Sequence, residues 1–332
     1  MSNEVDGIWT IAEESNGSIR NSSLGLVSLG RRLADDLKAG LSAVCIGHQV
    51  ADAGKLTTYG AERVYLLDDP AFSDGSEEAY ACAMADLIRR YQPAIVLAAA
   101  TSLATSVLPR VAATLNTGLT ANCVALEIDP TTAQLVQTRS AYGGNLMASI
   151  VCPEKRPQMA TLRPQLLKQA TPSGSPGGQV IKVDFNTQSV SSKTRVLSMV
   201  KDITDKVKLE EADIVVCGGR GLGNAEGFQV LTGLADALGA ALASSRPPVD
   251  DGWISYPHQI GQTGRTVSPK VYIACGISGA PQHLAGMQTS DVIVAINEDP
   301  KAPIFEIATY GIVGDLFKVA PLLISKLKES QP

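Results

Sequence analysis

The sequence VYIACGISGAPQHLAG, residues 271–286, contains the pattern that organises the second half of the chain. VYIAC is an apolar run typical of a buried strand, and a glycine-rich turn follows it. Pro281 then stands where a helix would begin, since the first helical position needs no N–H donor. We expect Ser278 near the N-cap, and Gln282 and His283 in the first turn, at the positive end of the helix dipole. The stretch therefore predicts a strand, a turn and a helix start that favours anions.

The histidine in this stretch has two interpretations. His283 is one of three histidines in the chain, and a ring in the first helical turn can donate a hydrogen bond to an anion. The alternative is a buried structural histidine. The flanking glycines favour the first interpretation, but the alternative stays open.

The rest of the second half alternates strand and helix patterns. ADIVVCGG, AALASS, DVIVAINED and FEIATYGIV are typical of strands, and NAEGFQVLTGLADALG is typical of a helix. The final helical pattern contains Pro321, so a kink is expected there. A parallel sheet with flanking helices follows from this alternation.

The first half shows the same alternation and is longer. Apolar runs such as AIVLAAAT alternate with helical patterns, most clearly over residues 76–91. LGLVSLGRRLADDLKAG is typical of a helix, which we expect Gly40 to close. Residues 120–165 contain short strand-like runs that we expect to add antiparallel strands. The fold class is therefore α/β with two domains, 1–190 and 191–332, each a mainly parallel sheet flanked by helices and the second Rossmann-like.

Composition narrows the class of protein. The chain has 332 residues, 45% of them hydrophobic and 18% charged, with a net charge of −5 and no long basic block. These values predict a globular protein and argue against nucleic acid or membrane insertion as its main interaction. The acidic start has no signal-peptide pattern, so a cytoplasmic protein is expected. No two of the six cysteines have metal-ligand spacing, and we expect buried, reduced thiols.

Several loops carry candidate binding residues. GGRGLGN, residues 218–224, follows a strand and precedes a helix, but Asn224 breaks the dinucleotide fingerprint and no P-loop lysine follows. An anion site with Arg220 and a simple tight turn are equally compatible with it. Arg246 follows the next strand, where α/β sheets bind ligands, or it pairs with a nearby aspartate at the surface. Asp315 stands at a helix start, where an N-cap is the simpler interpretation.

No catalytic acid–base set, nucleophile elbow or metal motif is found in the sequence, which favours a cofactor holder over a hydrolase. The motifs YIA-x-GISGA, QHLAGM, VAIN, APIF, YGIVGDLFKV, VVCGGRGLG, SSRPPVDDGW and IGQTG together resemble the electron transfer flavoprotein α subunit. IWTIAEE, AVCIG and YGAERVYLLDDP extend the resemblance over nearly the whole chain. It is most specific over residues 215–327.

This resemblance implies a function. The second domain would hold one FAD, and the chain would pair with an electron transfer flavoprotein β subunit. The heterodimer would carry electrons to or from an acyl-CoA dehydrogenase or a related flavoenzyme through an anionic flavin semiquinone. The alternative is a subunit of an electron-bifurcating, NADH-dependent flavoprotein or enoyl-CoA reductase complex.

The resemblance also implies residue roles. Arg246 would lie over the flavin ring, Thr263 near flavin N5, and His283 near the N1/O2 edge, where Arg246 and the helix start would stabilise negative charge. The other implied FAD contacts are Arg220, Ser245, Ile260, Gly261, Gln262, Ser278, Gly279, Ala280, Pro281, Gln282, Asn297, Asp315 and Leu316.

Three residues depart from the family pattern. Pro281 replaces the usual isoleucine and removes a backbone donor. Glu298 stands where the family often has lysine, and Thr309 where it often has aspartate. We expect these changes to affect FAD affinity or potential rather than family membership.

Overall fold

The computed structural model describes residues 7–15, 17–73, 75–141, 146–167, 170, 172, 177–185, 209 and 212–330. The chain divides into two compact units, Met1–Lys201 and Asp202–Pro332. The predicted boundary between residues 190 and 191 lies outside the described residues and stays a prediction.

The first unit is built on a nine-stranded sheet with the order β11-β5-β4-β1-β6-β10-β7-β8-β9. Its strands, together with the small pair β2 and β3, are β1 Ile8–Ala12, β2 Glu14–Ser15, β3 Ser18–Ile19, β4 Leu41–Gly47, β5 Arg63–Asp68, β6 Ile95–Ala99, β7 Leu119–Ile128, β8 Leu135–Ala141, β9 Leu146–Ile150, β10 Gln158–Leu162 and β11 Gln179–Lys182. Within this sheet β8 pairs antiparallel with β7 and with β9, and the other neighbours are parallel. The mainly parallel sheet and the antiparallel strands within residues 120–165 are therefore confirmed.

Alternation along β1 creates a core on each face of this sheet. Ile8 packs into one apolar cluster and Trp9 into the other, and both are fully buried. The helices that cover the sheet are α1 Asn21–Leu37, α2 Lys55–Thr58, α3 Glu77–Tyr91 and α4 Ser102–Leu115. Helix α3 follows the predicted periodicity, and the Ser76 side chain caps it by accepting from the Ala79 N–H.

The end of α1 differs from the sequence prediction. Gly40 was expected to close this helix, but the left-handed residue at its C-terminus is Lys38, with φ +54°. The Ala39 N–H then bonds to the Ala34 carbonyl and completes the cap. The Gly40 carbonyl instead accepts from the Ile8 N–H at 2.9 Å, so this glycine connects the helix exit to β1.

The second unit is a five-stranded parallel sheet with the order β13-β12-β14-β15-β16. Its strands are β12 Ile214–Gly218, β13 Ala241–Ser244, β14 Val271–Cys275, β15 Val292–Asn297 and β16 Tyr310–Val313. Its helices are α5 Phe228–Leu238, α6 Arg246–Asp250, α7 Pro281–Leu284 and α8 Leu316–Ser330. Across the described parts of both units, no helix combines the length and apolar character needed to cross a membrane.

Two details of the second unit refine the sequence prediction. Only the end of FEIATYGIV forms β16, because Pro303–Glu306 at its start forms a 3₁₀ helix. Helix α7 begins at Pro281 as predicted but has only four residues. It therefore offers the N–H groups of a helix start rather than the dipole of a long helix.

The strand order creates a switch point in each unit. The chain leaves β12 for β13 on one side and later returns to β14 on the other side, so β12 and β14 diverge into opposite connections at their carboxyl ends. In the first unit, β1 stands in the same way between β4 and β6. Ligands of α/β proteins bind in the crevice that such a switch point leaves.

The switch point of the first unit holds a buried carboxyl group. Glu13 directly follows β1, and its side chain is 11% exposed. It accepts a short hydrogen bond from the Thr101 hydroxyl, which also caps α4 by accepting from the Ala104 N–H. Burial raises the pKa of Glu13, and the Thr101 hydrogen bond and Arg20 only partly oppose this.

This raised pKa predicts how stability depends on pH. Because folded Glu13 holds its proton more tightly than unfolded Glu13, stability falls as pH rises from the unfolded pKa through the folded pKa. We expect Glu13→Gln to raise the melting temperature at neutral pH, with the difference vanishing at acidic pH, where Glu13 is protonated in both states. Thermal unfolding between pH 3 and 8 measures this. The exposed control Glu154→Gln should leave the pH profile unchanged, and a profile for Glu13→Gln identical to wild type would contradict the assignment.

Candidate functional site

Two glycine-rich turns meet at the switch point of the second unit. The Gly219 N–H donates to the Cys275 carbonyl at 2.9 Å, and the Gly221 N–H donates to the Gly276 carbonyl at 3.1 Å. A Cβ on Gly219 would lie 2.2 Å from the Gly276 oxygen, and a Cβ on Gly221 would lie 2.8 Å from the Gly276 Cα. Glycine is therefore required on both sides of this contact.

The turn after Gly276 is also held by the end of β15 and by the 3₁₀ helix Pro303–Glu306. The Asn297 amide donates to the Ile277 carbonyl at 2.9 Å, and the Ser278 carbonyl accepts from the Ile304 N–H at 3.0 Å. Gly279 has φ +90°, and a Cβ there would lie 2.4 Å from the Ile304 nitrogen. Asn297 thus acts at the strand end by fixing the turn.

Two arginines stand at this edge of the sheet. Arg220 is exposed in the 3₁₀ helix that follows β12, and within the described part of the chain no carboxylate pairs with it. Arg246 is the first residue of α6, directly after β13. Its Nε lies 3.0 Å from an Asp250 oxygen, and its side chain is 66% exposed. Arg246 therefore pairs with an aspartate at the surface, as one of its two interpretations predicted. Its guanidinium group is still accessible to a ligand.

The loop 259–267 is bonded to α7. The Gln262 N–H donates to the Gln282 carbonyl and the Val267 N–H to the Gly286 carbonyl, each at 2.8 Å. Gly261 has φ +144°, which brings its backbone against the helix. Loop and helix therefore form one structural element at the carboxyl ends of β13 and β14.

The tip of this loop presents Thr263. Its hydroxyl accepts a hydrogen bond from the Gln259 side chain at 3.1 Å, and its carbonyl accepts one from the Tyr256 hydroxyl at 2.7 Å. A hydroxyl that accepts in this way keeps its own proton for another acceptor. Thr263 is exposed, so this donor is available to a ligand.

His283 lies beneath this loop rather than on it. The residue is 7% exposed. Its Nδ1 is 3.1 Å from the Ile260 carbonyl, and its Nε2 is 3.0 Å from the Tyr272 hydroxyl. Burial lowers the pKa of the ring to about 4. Both nitrogens are engaged inside the protein, which is the geometry of the structural alternative considered for this residue.

The remaining candidates have mainly structural contacts. Asp315 accepts from the Phe317 N–H at 2.8 Å and so begins α8, as the N-cap interpretation expected. The Ser245 N–H donates to the Gly218 carbonyl at 2.9 Å. Leu316 is buried, and its side chain would lie 3.0 Å from a Cβ on Gly276.

The exposed candidate residues, with free N–H groups beside them, lie at one edge of the sheet. Eight of them are exposed after the carboxyl ends of the strands: Arg220, Arg246, Gln262, Thr263, Ser278, Ala280, Pro281 and Gln282. For the N–H groups of Gly279, Ala280 and Gln282, no acceptor is found within the described part of the chain. Free amides and guanidinium groups above a glycine cradle suit an anionic ligand such as a diphosphate.

Comparison with known proteins agrees with this chemistry. Residues 8–188 match the electron transfer flavoprotein domain, and residues 208–288 match the electron transfer flavoprotein FAD-binding domain. The chain is 49% identical to the electron transfer flavoprotein subunit alpha of Thermoanaerobacterium thermosaccharolyticum, over 98% of this chain and 99% of that protein. It belongs to the electron transfer flavoprotein α-subunit family.

Two further relatives carry other names. The chain is 45% identical to protein FixB of Clostridium saccharobutylicum, over 98% of this chain and 97% of that protein. It is 40% identical to the acryloyl-CoA reductase electron transfer subunit beta of Anaerotignum propionicum, over 99% of this chain and 97% of that protein. FAD is the cofactor of this chain, and the glycine cradle, free amides and arginines of the second unit fit its diphosphate.

Sequence reasoning did not find three residues that hold the site together. The Tyr272 hydroxyl bonds to His283. The Gln259 side chain donates to the Thr263 hydroxyl, and the Tyr256 hydroxyl donates to the Thr263 carbonyl. Tyr272 belongs to the quoted strand and Gln259 precedes the IGQTG motif. Their position beside those motifs was the signal available in the sequence.

The cradle predicts the effect of a single methyl group. Gly279→Ala adds a Cβ into the Ile304 backbone at positive φ, whereas Gly252→Ala adds one at φ +73° with nothing within 4 Å. We expect Gly279→Ala to lose most of its FAD, while Gly252→Ala keeps FAD and loses only about 1–3 kcal/mol of stability from the backbone conformation. FAD absorbance after gel filtration, with thermal unfolding alongside, measures both. Equal FAD content in the two variants would disprove the role of the 276–279 turn.

Proposed function

We propose that this chain is the α subunit of a heterodimeric electron carrier that holds one FAD at the carboxyl edge of its second sheet. It pairs with a β subunit and exchanges electrons with an acyl-CoA dehydrogenase or a related flavoenzyme. The observation that carries the proposal is the set of groups at one glycine-lined switch point: two exposed arginines and, among the described residues, three N–H groups without an acceptor. FAD supplies the redox chemistry, and the chain binds it, orients it and adjusts its potential.

Arg246 has the central electrostatic part in this proposal. A guanidinium over the ring stabilises negative charge that reduction places there, including an anionic semiquinone. Asp250 lies 3.0 Å from Nε of Arg246 and orients the side chain along α6, and the Arg246 side chain is 66% exposed. Arg220 is matched to the diphosphate, because arginine forms paired hydrogen bonds with phosphate oxygens.

In this proposal, Thr263 donates a hydrogen bond in a fixed direction. Because Gln259 donates to its hydroxyl, the Thr263 proton points to a different acceptor. Flavin N5 is an acceptor in the oxidised ring, which supports the position implied for Thr263. His283 is kept beside the cofactor, but as a buried neutral residue beneath the loop, since both of its nitrogens are engaged.

The second candidate function is a part in electron bifurcation or acyl-CoA reduction. The name of the Anaerotignum propionicum relative, an acryloyl-CoA reductase electron transfer subunit, favours it. In that case a second FAD in the β subunit would accompany the one held here.

Counting cofactors tests both functions. We expect the chain, purified gently with its β subunit, to form a yellow heterodimer with one FAD bound to this chain. A total of one FAD supports the simple carrier, and two FAD support the bifurcating alternative. Heterodimer without flavin absorbance, after FAD has been offered in excess, would reject the proposed function.

The electrostatic part of Arg246 predicts a shift in potential. Removal of a charge-assisted contact worth about 1.5–3 kcal/mol in the reduced state corresponds to about 30–60 mV for a two-electron couple. We therefore expect Arg246→Ala to lower the FAD midpoint potential by about this amount in a spectroelectrochemical titration.

The matched control removes a positive charge from the same sheet, but at the amino ends of its strands. Lys270 precedes β14 and pairs with Asp213 at 3.1 Å, far from the carboxyl ends of the strands. Lys270→Ala should leave the potential unchanged. If Arg246→Ala shifts the potential no more than Lys270→Ala does, Arg246 does not act on the flavin.

A further inference from the structure

A buried hydrogen-bond chain joins the middle of the sheet to the loop 259–267. Tyr272 lies in β14 and is fully buried. Its hydroxyl is 3.0 Å from Nε2 of His283, and Nδ1 of the same ring is 3.1 Å from the Ile260 carbonyl. One imidazole therefore connects a central strand to the loop that presents Thr263.

The direction of each bond in this chain follows from the partners. A carbonyl oxygen only accepts, so Nδ1 of His283 carries a proton and donates to Ile260. The buried ring is neutral at pH 7, which leaves Nε2 without a proton. The Tyr272 hydroxyl must then be the donor to Nε2. Burial raises the pKa of Tyr272, which keeps that proton in place.

Among the described residues, the titratable groups that act on Tyr272 are the thiols of Cys217 and Cys275, and burial raises the pKa of each. Both thiols are therefore neutral at pH 7. Cys217 also shares a hydrogen bond with the Tyr272 hydroxyl. Because Nε2 of His283 has no proton of its own, it accepts the hydrogen bond of the phenol proton, and the neutral Cys217 thiol can donate to the phenol oxygen. The donor and acceptor in each hydrogen bond are therefore fixed by the partners, and His283 has a single tautomer.

The chain of bonds also has a clear mechanical consequence. Two backbone bonds, from Gln262 to Gln282 and from Val267 to Gly286, attach the loop to α7. The His283 bond is a third attachment, and it alone of the three continues through Tyr272 into the sheet. A Cβ on Gly286 would lie 2.5 Å from the Gly261 nitrogen, so loop and helix are already in close contact. The Ile260 N–H also donates to the Ser244 carbonyl of β13 at 2.8 Å, so the loop is bonded directly to one strand and reaches β14 through His283 and Tyr272. Loss of the His283 bond would leave the loop bonded to β13 but would loosen the loop and α7 against β14.

We propose that Tyr272 is a positioning residue for the FAD site, which acts through neutral His283 to fix the 260–263 turn against the sheet. This inference rests on the proposed placement of FAD at that turn. His283 is then a connector whose single tautomer matters, rather than a positive charge beside the flavin.

The first experiment removes the phenol oxygen alone. Tyr272→Phe keeps the buried ring but leaves Nε2 of His283 without a donor in a dry environment. We expect the heterodimer with its β subunit to bind FAD about tenfold more weakly and to show a changed visible circular dichroism spectrum of the bound FAD. Tyr91→Phe is the matched control, because Tyr91 lies in α3 of the first unit; it should change neither.

A double-mutant cycle separates positioning from general destabilisation. His283→Asn keeps a donor at the place of Nδ1 and removes the acceptor that Tyr272 serves. If Tyr272 acts through His283, adding Tyr272→Phe to His283→Asn weakens FAD binding by less than twofold more. A further tenfold loss in the double variant would overturn the proposal.

A measurement on the wild-type heterodimer does not depend on the folding of any variant. Nitrogen-15 NMR of labelled histidine should show His283 with a protonated Nδ1 and an unprotonated Nε2 between pH 5.5 and 8, unlike exposed imidazole. An imidazolium or a protonated Nε2 at pH 7 would overturn the proposal.

These results are distinguishable from failure of the proposed function. Wild-type heterodimer that binds no FAD rejects the function itself. Wild-type heterodimer that binds FAD, together with a Tyr272→Phe variant of unchanged affinity and spectrum, rejects only the role of Tyr272.

Discussion

The second unit depends on a close steric contact between two backbone segments at the switch point of its sheet. Gly219 and Gly221 approach Gly276 so closely that no side chain could lie between them, and two N–H···O bonds of 2.9 and 3.1 Å hold them there. Because this contact fixes the ends of β12 and β14, it also fixes where Arg220 and the 276–279 turn emerge. The proposed FAD site depends on this backbone contact before it depends on any charged group.

The two units show that topology alone does not make such a site. Each has a strand flanked by its successor on one side and a later strand on the other. In the first unit, the crevice there receives the Glu13 carboxyl group, bonded to Thr101, whose burial raises its pKa. In the second unit, glycines and free amides occupy the corresponding place. A carboxylate would repel a diphosphate, whereas amides and arginine attract one. The turn that follows the strand therefore supports the second unit as the place of the proposed FAD site.

The sequence was sufficient for the architecture, and less so for the contacts. Strand and helix periodicity predicted both sheets, and the Pro281 position predicted the start of α7. The predicted end of α1, at Gly40, was wrong by two residues. Lys38 adopts the left-handed conformation that sequence patterns assign to glycine. The partners of Arg246 and Asp315 were among the alternatives considered, since both bonds are local in sequence.

The bonds of His283 were not predictable in the same way, because they join residues 11 and 23 positions away in the chain. Local reasoning could assign the ring a place in a helical turn but not the depth at which it lies. That depth changes its chemistry, since burial makes it neutral and hydrogen bonds fix its tautomer. In the proposed FAD site, positive charge for the reduced flavin would then come from the exposed guanidinium groups of Arg246 and Arg220. In the proposed site, the histidine would therefore fix the geometry of the turn, and the two arginines would supply the positive electrostatic field.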